Sequence, residues 1–175
     1  MAVAAPEVNN RLVMLTANTK TFNIAGAHTG NVIIENPVLV AKFESQLKML
    51  GLSPNSLGIH MATAGYSTKG AEWLDKLIPY IETNFHIFNS GINEIPGCNA
   101  IHAEGLYLAW VDFSGTGMNH EAVKNRIEKD ARITTVYGKS MGKGGETFMR
   151  FNIATPRSRV VEAVERMQAA FKDLQ

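Results

Sequence analysis

The stretch TANTKTFNIAG, residues 16–26, places a single lysine, Lys20, among small and polar residues. The apolar run RLVML (11–15) precedes it, and a second apolar run, TGNVIIEN (29–36), follows. The two runs predict short, largely buried strands on either side of a tight turn. Most lysines are solvated at protein surfaces, whereas a partly desolvated amine has a lowered pKa and can act as a nucleophile. The pattern alone therefore leaves both interpretations of Lys20 open.

The composition excludes several classes of protein. The chain has 175 residues, is 45% hydrophobic and carries a net charge of +1 from interspersed acidic and basic residues, which argues against a nucleic-acid partner. No apolar stretch approaches the roughly 18 residues that span a bilayer, and the N-terminus lacks a basic signal-peptide region. A single cysteine, Cys98, fits a reducing compartment. We expect a soluble, cytoplasmic protein with no membrane partner.

Helices dominate the middle of the chain. Asn36 and Pro37 are typical of a helix start, and Gly51 follows the last apolar position of that helix. A second helix is predicted from about residue 54 to 64. Apolar residues then recur at helical spacing from residue 68 to 95. Such a helix would be about 42 Å long, and we expect it to connect two bodies.

Strands and helices alternate in the last third of the chain. Strands are predicted at 106–113, 132–137 and 147–153, and helices follow Asn119 and the pair Thr155–Pro156. The glycine-rich GKSMGKGGE (138–146) lacks the spacing of a phosphate loop and precedes a strand, so we expect a mobile loop. The five histidines show no metal-ligand spacing, and we predict no metal site. The pattern predicts an α/β fold with a boundary near residue 97.

Arg150 is the second candidate for chemistry. In TFMRFNI (147–153), strand alternation places Phe148, Arg150 and Asn152 on one face. The opposite face is apolar and is predicted to be core. A planar guanidinium on the open face is suited to bidentate binding of a carboxylate, although a plain surface arginine has the same pattern.

The two candidates occur in segments that resemble one enzyme family. LTANTKTFNIAGAHTGNVIIEN (15–36) resembles the Schiff-base lysine segment of the fold-type I pyridoxal-phosphate (PLP) enzymes, the aspartate aminotransferase superfamily. Its KTFNIAG is most similar to the cystathionine β-lyase, or C–S lyase, branch. GGETFMRFNIATPRSRV (144–160) resembles that branch's C-terminal segment, and LYLAWVDF (106–113) is similar to the strand between them. The segments come in the family's order and cover essentially the whole chain.

The resemblance implies a role for each matching residue. Lys20 would be the catalytic lysine that links to PLP, and Arg150 would bind the substrate α-carboxylate, with Asn152 beside it. Thr19 and Thr16 would be hydroxyl donors near the cofactor phosphate.

The chain departs from the family's pattern at four positions. Ala17 and His28 stand where aminotransferases often have a serine and an arginine, and His28 is a further candidate for cofactor binding. Asn18 and Thr19 stand where the C–S lyase branch often has proline and serine. These departures put phosphate binding through this segment in question.

The implied function is PLP-dependent β-elimination on a sulfur amino acid, with Lys20 as the base for the Cα proton. A class I/II aminotransferase is the alternative, because the same residues serve both reactions. A non-catalytic remnant that dimerises through exposed apolar faces, or a simple α/β binding module, are alternatives of other classes. The implied partners are a small amino-acid substrate and a second copy of the chain in a homodimer.

The resemblance also implies the domain organisation. Residues 1–66 would be a remnant of the large PLP-binding domain with its sheet, 67–97 a connecting helix, and 98–175 the small α+β C-terminal domain. The family's aspartate for the pyridine nitrogen lies upstream of the lysine, yet Glu7 is the one acidic residue before Lys20 here. We therefore expect the C-terminal half of the PLP transferase fold, taken from a longer enzyme.

Overall fold

The computed structural model describes residues 3–174. The chain divides into two compact units, the first ending at Lys76 and the second beginning at Leu77. The first unit contains the lysine segment, and the second contains Arg150.

The first unit contains a small antiparallel sheet. A 3₁₀-helix, Pro6–Arg11, precedes strand β1, Met14–Thr16, which pairs with β2, Asn31–Ile33. The expected strand at 11–15 therefore starts later, and the expected burial is wrong, since Leu15 is 72% exposed. The reason is size, because two strands of three residues cannot cover their own apolar faces.

Three helices follow the small sheet. Helix α1, Pro37–Met49, begins at Asn36, whose side-chain oxygen accepts the Val38 amide at 2.8 Å, as the Asn-Pro pair predicts. Helix α2, Ser56–Gly65, is capped in the same way by Asn55. Helix α3, Thr68–Asn93, matches the long predicted helix to within two residues.

The second unit is built on a four-stranded antiparallel sheet. Its strands are β3 (Asn99–Ile101), β4 (Leu108–Asp112), β5 (Val136–Tyr137) and β6 (Phe148–Asn152). The spatial order is β3-β4-β6-β5. Strand β3 is an addition to the sequence prediction, and the strand expected at 132–137 is reduced to its last two residues. Arg132 adopts a left-handed conformation (φ 55°), which interrupts an extended run.

The helices of the second unit also show differences in detail. Helix α4, His120–Asn125, is capped by Asn119 as predicted and continues as a π-helix, Arg126–Asp130. The glycine-rich stretch, expected to be a loop throughout, begins with a 3₁₀ turn, Gly138–Met141. Helix α5, Arg157–Ala170, follows Pro156.

The hydrophobic core of the second unit lies between one face of the sheet and the helices. Met149, Phe151 and Ile153 are buried, which confirms the alternation predicted for β6. They pack with inward residues of the other elements: Phe88, Ile92, Val111, Val123, Ile127, Val160 and Met167. The opposite face of the sheet carries Arg150.

Candidate functional site

Lys20 lies in a hydrogen-bonded turn directly after β1. The Phe22 amide donates to the Asn18 carbonyl at 3.1 Å, and the Ile24 amide donates to the Thr19 carbonyl at 2.8 Å. Lys20 itself is exposed. The backbone of the lysine is therefore held by its neighbours while the side chain projects away from the packed part of the turn.

The turn is packed against α2 and the start of α3. The buried side chain of Asn18 donates from Nδ2 to the Ala62 carbonyl at 3.1 Å. The Phe22 ring lies over Gly65, where an added Cβ would come within 2.9 Å of it, and its centroid is 5.6 Å from that of Trp73. Through these contacts, Asn18 and Phe22 form a buried side of the turn.

Of the two interpretations left open for Lys20, the described chain shows the exposed side chain. Asn18 and Thr19 occupy the buried side of the turn, so the next side chain points outward. In the described residues of this unit, the sheet beside the turn leaves Leu15, Val32 and Ile33 exposed as well.

The other candidate cofactor residues share this segment of chain. Thr16 is the last residue of β1 and pairs with Asn31, and Thr19 is buried. His28 is exposed and adopts a left-handed conformation with φ 46°. The adjacent Ala27 carbonyl accepts the Asn55 amide at 2.7 Å, which attaches this end of the segment to the N-terminus of α2.

Arg150 lies in the middle of β6 on the open face of the second unit's sheet. It is half-buried and pairs with Trp110 of β4 on one side and Val136 of β5 on the other. Trp110 also stacks on Phe148, with centroids 5.1 Å apart and an interplanar angle of 10°. The guanidinium therefore belongs to a face with a strong aromatic component, as strand alternation predicted.

Asn152 lies at the end of β6 and is exposed. Its Oδ1 accepts the Ala154 amide at 2.9 Å. The side-chain oxygen therefore accepts a hydrogen bond from the turn that follows the strand. The Nδ2 group is the part of the amide that can donate to a carboxylate.

Asn84 is a structural residue of this region that the sequence analysis missed. It is fully buried in α3, and its Nδ2 donates to the carbonyls of Ile153 and Thr155, each at 3.0 Å. These bonds fix the backbone directly beyond the strand that carries Arg150. The signal was present, because Asn84 interrupts the apolar stripe between Ile81 and Phe88.

The chain is similar in sequence and in fold to known proteins. No protein-family model matches the chain. The cystathionine beta-lyase PatB of Bacillus subtilis is 34% identical over 160 residues, which cover 90% of this chain and 41% of PatB. The crystal structure of cystalysin from Treponema denticola, which contains pyridoxal 5'-phosphate, superimposes with a TM-score of 0.88 at 34% identity, over 97% of this chain and 43% of cystalysin. In sequence and fold, the chain matches the C-terminal part of the fold-type I PLP-dependent enzymes.

These similarities confirm the resemblance of the chain to that family. The chain spans about two fifths of the length of the relatives it matches. Aminotransferases of the same family are also similar, since the aspartate aminotransferase of Pyrococcus horikoshii is 25% identical over 171 residues, covering 96% of this chain and 42% of that enzyme.

The single cysteine, Cys98, is held in an unreactive setting. Burial, together with the Asp112 carboxylate, raises the pKa of the Cys98 thiol to about 12, so the thiolate does not form near neutrality.

Within residues 3–174, histidine, cysteine and acidic side chains do not gather in groups of three or more that could hold a metal ion. Over the same residues, every helix is too short or too polar to cross a membrane.

Proposed function

We propose that this chain provides the C-terminal part of a PLP-dependent lyase that cleaves the Cβ–S bond of a sulfur amino acid by β-elimination. The observation that carries the proposal is the 34% identity to a cystathionine beta-lyase over 90% of the chain. The proposal includes a division of the chain into a part with the lysine turn at 1–66, a connecting helix at 67–97 and a small domain at 98–175.

The lysine turn fits a covalent link to an aldehyde. A primary amine on a hydrogen-bonded turn combines an accessible nucleophile with a fixed point of attachment. The hydroxyls of Thr16 and Thr19 and the imidazole of His28 lie on the same segment and would serve the cofactor phosphate. The Lys20 side chain is exposed in the chain as described, so it is accessible to an added aldehyde.

Arg150 fits the binding of the substrate carboxylate. Its guanidinium can donate two parallel hydrogen bonds to a carboxylate, and the stacked Trp110 and Phe148 lie beside it on the same face of the sheet. Asn152, two residues along the same face, would donate from Nδ2. Holding the carboxylate in this way orients the substrate Cα–H bond relative to the base.

PLP, when bound, supplies an electron sink for the electron pair left at the substrate Cα. The Nζ of Lys20 accepts the Cα proton, and the sulfur leaves Cβ with its bonding electron pair. Overall, cystathionine and water give homocysteine, pyruvate and ammonia.

An aminotransferase is the second candidate, favoured by the similarity to the aspartate aminotransferase. It would use the same Lys20 and Arg150 but would require a keto acid as amino-group acceptor. Pyruvate and ammonia formed from cystathionine without any keto acid would identify the lyase.

We also propose that the protein acts as a cytoplasmic homodimer. Large exposed apolar side chains in the first unit, among them Leu15, Leu57 and Met61, support association. A single, buried cysteine suits a reducing compartment. Analytical ultracentrifugation would contradict the dimer if the chain sedimented as a monomer at micromolar concentration.

Labelling of Lys20 is the first test of the proposed function. The purified chain is incubated with PLP, reduced with borohydride and mapped by mass spectrometry. We expect a pyridoxyl group on Lys20 in preference to the exposed Lys42, and its loss in Lys20→Ala but not in Lys42→Ala. Equal labelling of the two lysines would contradict a PLP-binding turn in this chain and would favour the non-catalytic alternative.

A further inference from the structure

We propose that Asn18 is a positioning residue for Lys20, acting through its side-chain hydrogen bond to the Ala62 carbonyl across a glycine face of α2. The inference rests on the proposed role of Lys20 and adds a residue that the family resemblance does not supply, because that branch often has proline at this position.

The environment of Asn18 is unusual for a turn residue. The residue is 5% exposed, and its Nδ2 donates to the Ala62 carbonyl at 3.1 Å. Buried side-chain amides in folded proteins are usually hydrogen-bonded. The carbonyl of the same residue accepts the Phe22 amide at 3.1 Å. Asn18 therefore joins the turn to the helix through its side chain and stabilises the turn itself through its backbone carbonyl.

Two glycines of α2 allow this close approach. Gly58 and Gly65 are seven residues apart, so they lie on one face of the helix. A Cβ at Gly65 would lie 2.5 Å from the Asn18 Nδ2, and a Cβ at Gly58 would collide with the Thr29 hydroxyl. The glycine face, defined by Gly58 and Gly65, thus accommodates the segment that carries Lys20.

The segment is attached to α2 at two points, with Lys20 between them. Asn18 forms the first attachment, and the bond from Asn55 Nδ2 to the Ala27 carbonyl, 2.7 Å long, forms the second. The amine of Lys20 can move by rotation about four side-chain bonds and by movement of the backbone. Fixing the backbone removes the second of these motions and so limits the positions that the amine can reach. Such orientation is a general contribution to catalytic rate.

The test uses Asn18→Ala, which removes the donor, and Asn18→Asp, which keeps the shape but places an acceptor beside the Ala62 carbonyl. The first readout is amide hydrogen exchange of Phe22 and Ile24 by NMR in the full chain without PLP. The second is the ratio of borohydride-trapped pyridoxyl on Lys20 to that on Lys42. We expect exchange about tenfold faster and a labelling ratio several-fold lower in both variants.

Two controls separate positioning from general destabilisation. Asn31→Ala removes an exposed hydrogen bond to Tyr66 in the same unit. Asn84→Ala removes buried hydrogen bonds in the second unit. Neither should change the exchange of Phe22 and Ile24 or the labelling ratio.

The outcomes distinguish this inference from the proposed function. Unchanged amide exchange of Phe22 and Ile24 in the Asn18 variants overturns the inference. If the wild-type chain is labelled preferentially on Lys20, faster exchange with an unchanged labelling ratio also overturns it. If wild-type Lys20 is not preferred over Lys42, the proposed function fails, while faster exchange would still support Asn18 as the residue that orders the turn.

Discussion

The side-chain amide of Asn84 donates to the backbone carbonyl of Ile153 at a distance of 3.0 Å, in the interior of the second unit. A second bond from the same Nδ2 reaches Thr155, and Asn84 Oδ1 accepts the Nε of Arg157 at 3.5 Å. One residue of α3 thus satisfies two carbonyls that the chain exposes as it leaves β6. Strand β6 carries Arg150, so this contact connects packing to the candidate carboxylate site.

Asn84→Ala should lower the free energy of unfolding by roughly 2–4 kcal/mol, because it removes two hydrogen bonds and leaves carbonyls unpaired in the core. Urea denaturation measures the change. The control is Asn89→Ala on the same helix, whose side-chain hydrogen bond to the Ile101 carbonyl is 3.5 Å long and exposed. An equal loss in both variants would contradict the role assigned to Asn84.

Gly91→Ala should destabilise the second unit by about 1–3 kcal/mol, because the added Cβ would overlap the Cγ1 of Val164 on α5. This overpacking outweighs the gain in helix propensity of about 1 kcal/mol. Val164→Ala removes the obstructing methyls. A double-mutant cycle should therefore show coupling of about 1 kcal/mol in favour of the double variant, and strictly additive effects would argue against the close contact.

Ionisation of Cys98 should make the unfolding free energy fall at alkaline pH. Burial and the Asp112 carboxylate raise its pKa from 9.0 to about 12 in the folded chain. The unfolded chain therefore loses the thiol proton first, and the contribution to stability is complete below pH 9 and is lost as the pH rises towards 12. The difference in stability between the wild type and Cys98→Ala, measured from pH 7 to 11, isolates this effect from the lysines and tyrosines.

The ionised Asp112 carboxylate should stabilise the folded chain near neutral pH, and this stabilisation should be lost at acid pH. Burial raises its pKa, but the amide and hydroxyl of Ser114 and the hydroxyl of Thr147 donate to the carboxylate, and the net result is a lowered pKa. The stabilisation is therefore present above about pH 4 and is lost as the pH falls through the folded value. Asp112→Asn should cost stability at pH 6, and that cost should shrink on acidification. A cost that is independent of pH would contradict this account.

Arg150→Lys should weaken binding of the amino-acid substrate through its carboxylate. A lysine offers a point charge in place of the two parallel donors of a guanidinium, so we expect the KM to rise about tenfold or more with a smaller change in kcat. Arg157→Lys provides the control, because that arginine stacks over Tyr80 at 4.6 Å on a different part of the unit. Equal effects of the two substitutions would contradict a specific carboxylate site.

Much of the local structure was predictable from residue patterns. The Asn36–Pro37 helix start, the long helix α3 and the alternation of Met149, Arg150 and Phe151 were all correctly inferred. Each depends on residues that are neighbours in the chain: a cap bonds within the first turn, and periodicity repeats every 2 or 3.6 residues. The lysine and arginine segments likewise carried the family resemblance in their own residues.

The remaining features depend on contacts between distant residues. Strand β3 exists because Asn99–Ile101 pairs with β4, and three residues of local sequence do not reveal that partner. The burial of Asn18 beside Lys20 depends on its hydrogen bond to Ala62, 44 residues away, and on the space that Gly65 leaves for it. Residue type and spacing thus specify which groups are present and how helices begin, whereas burial and the direction of a turn depend on which surfaces meet, because hydrogen bonding and close packing act between atoms in contact and not along the sequence.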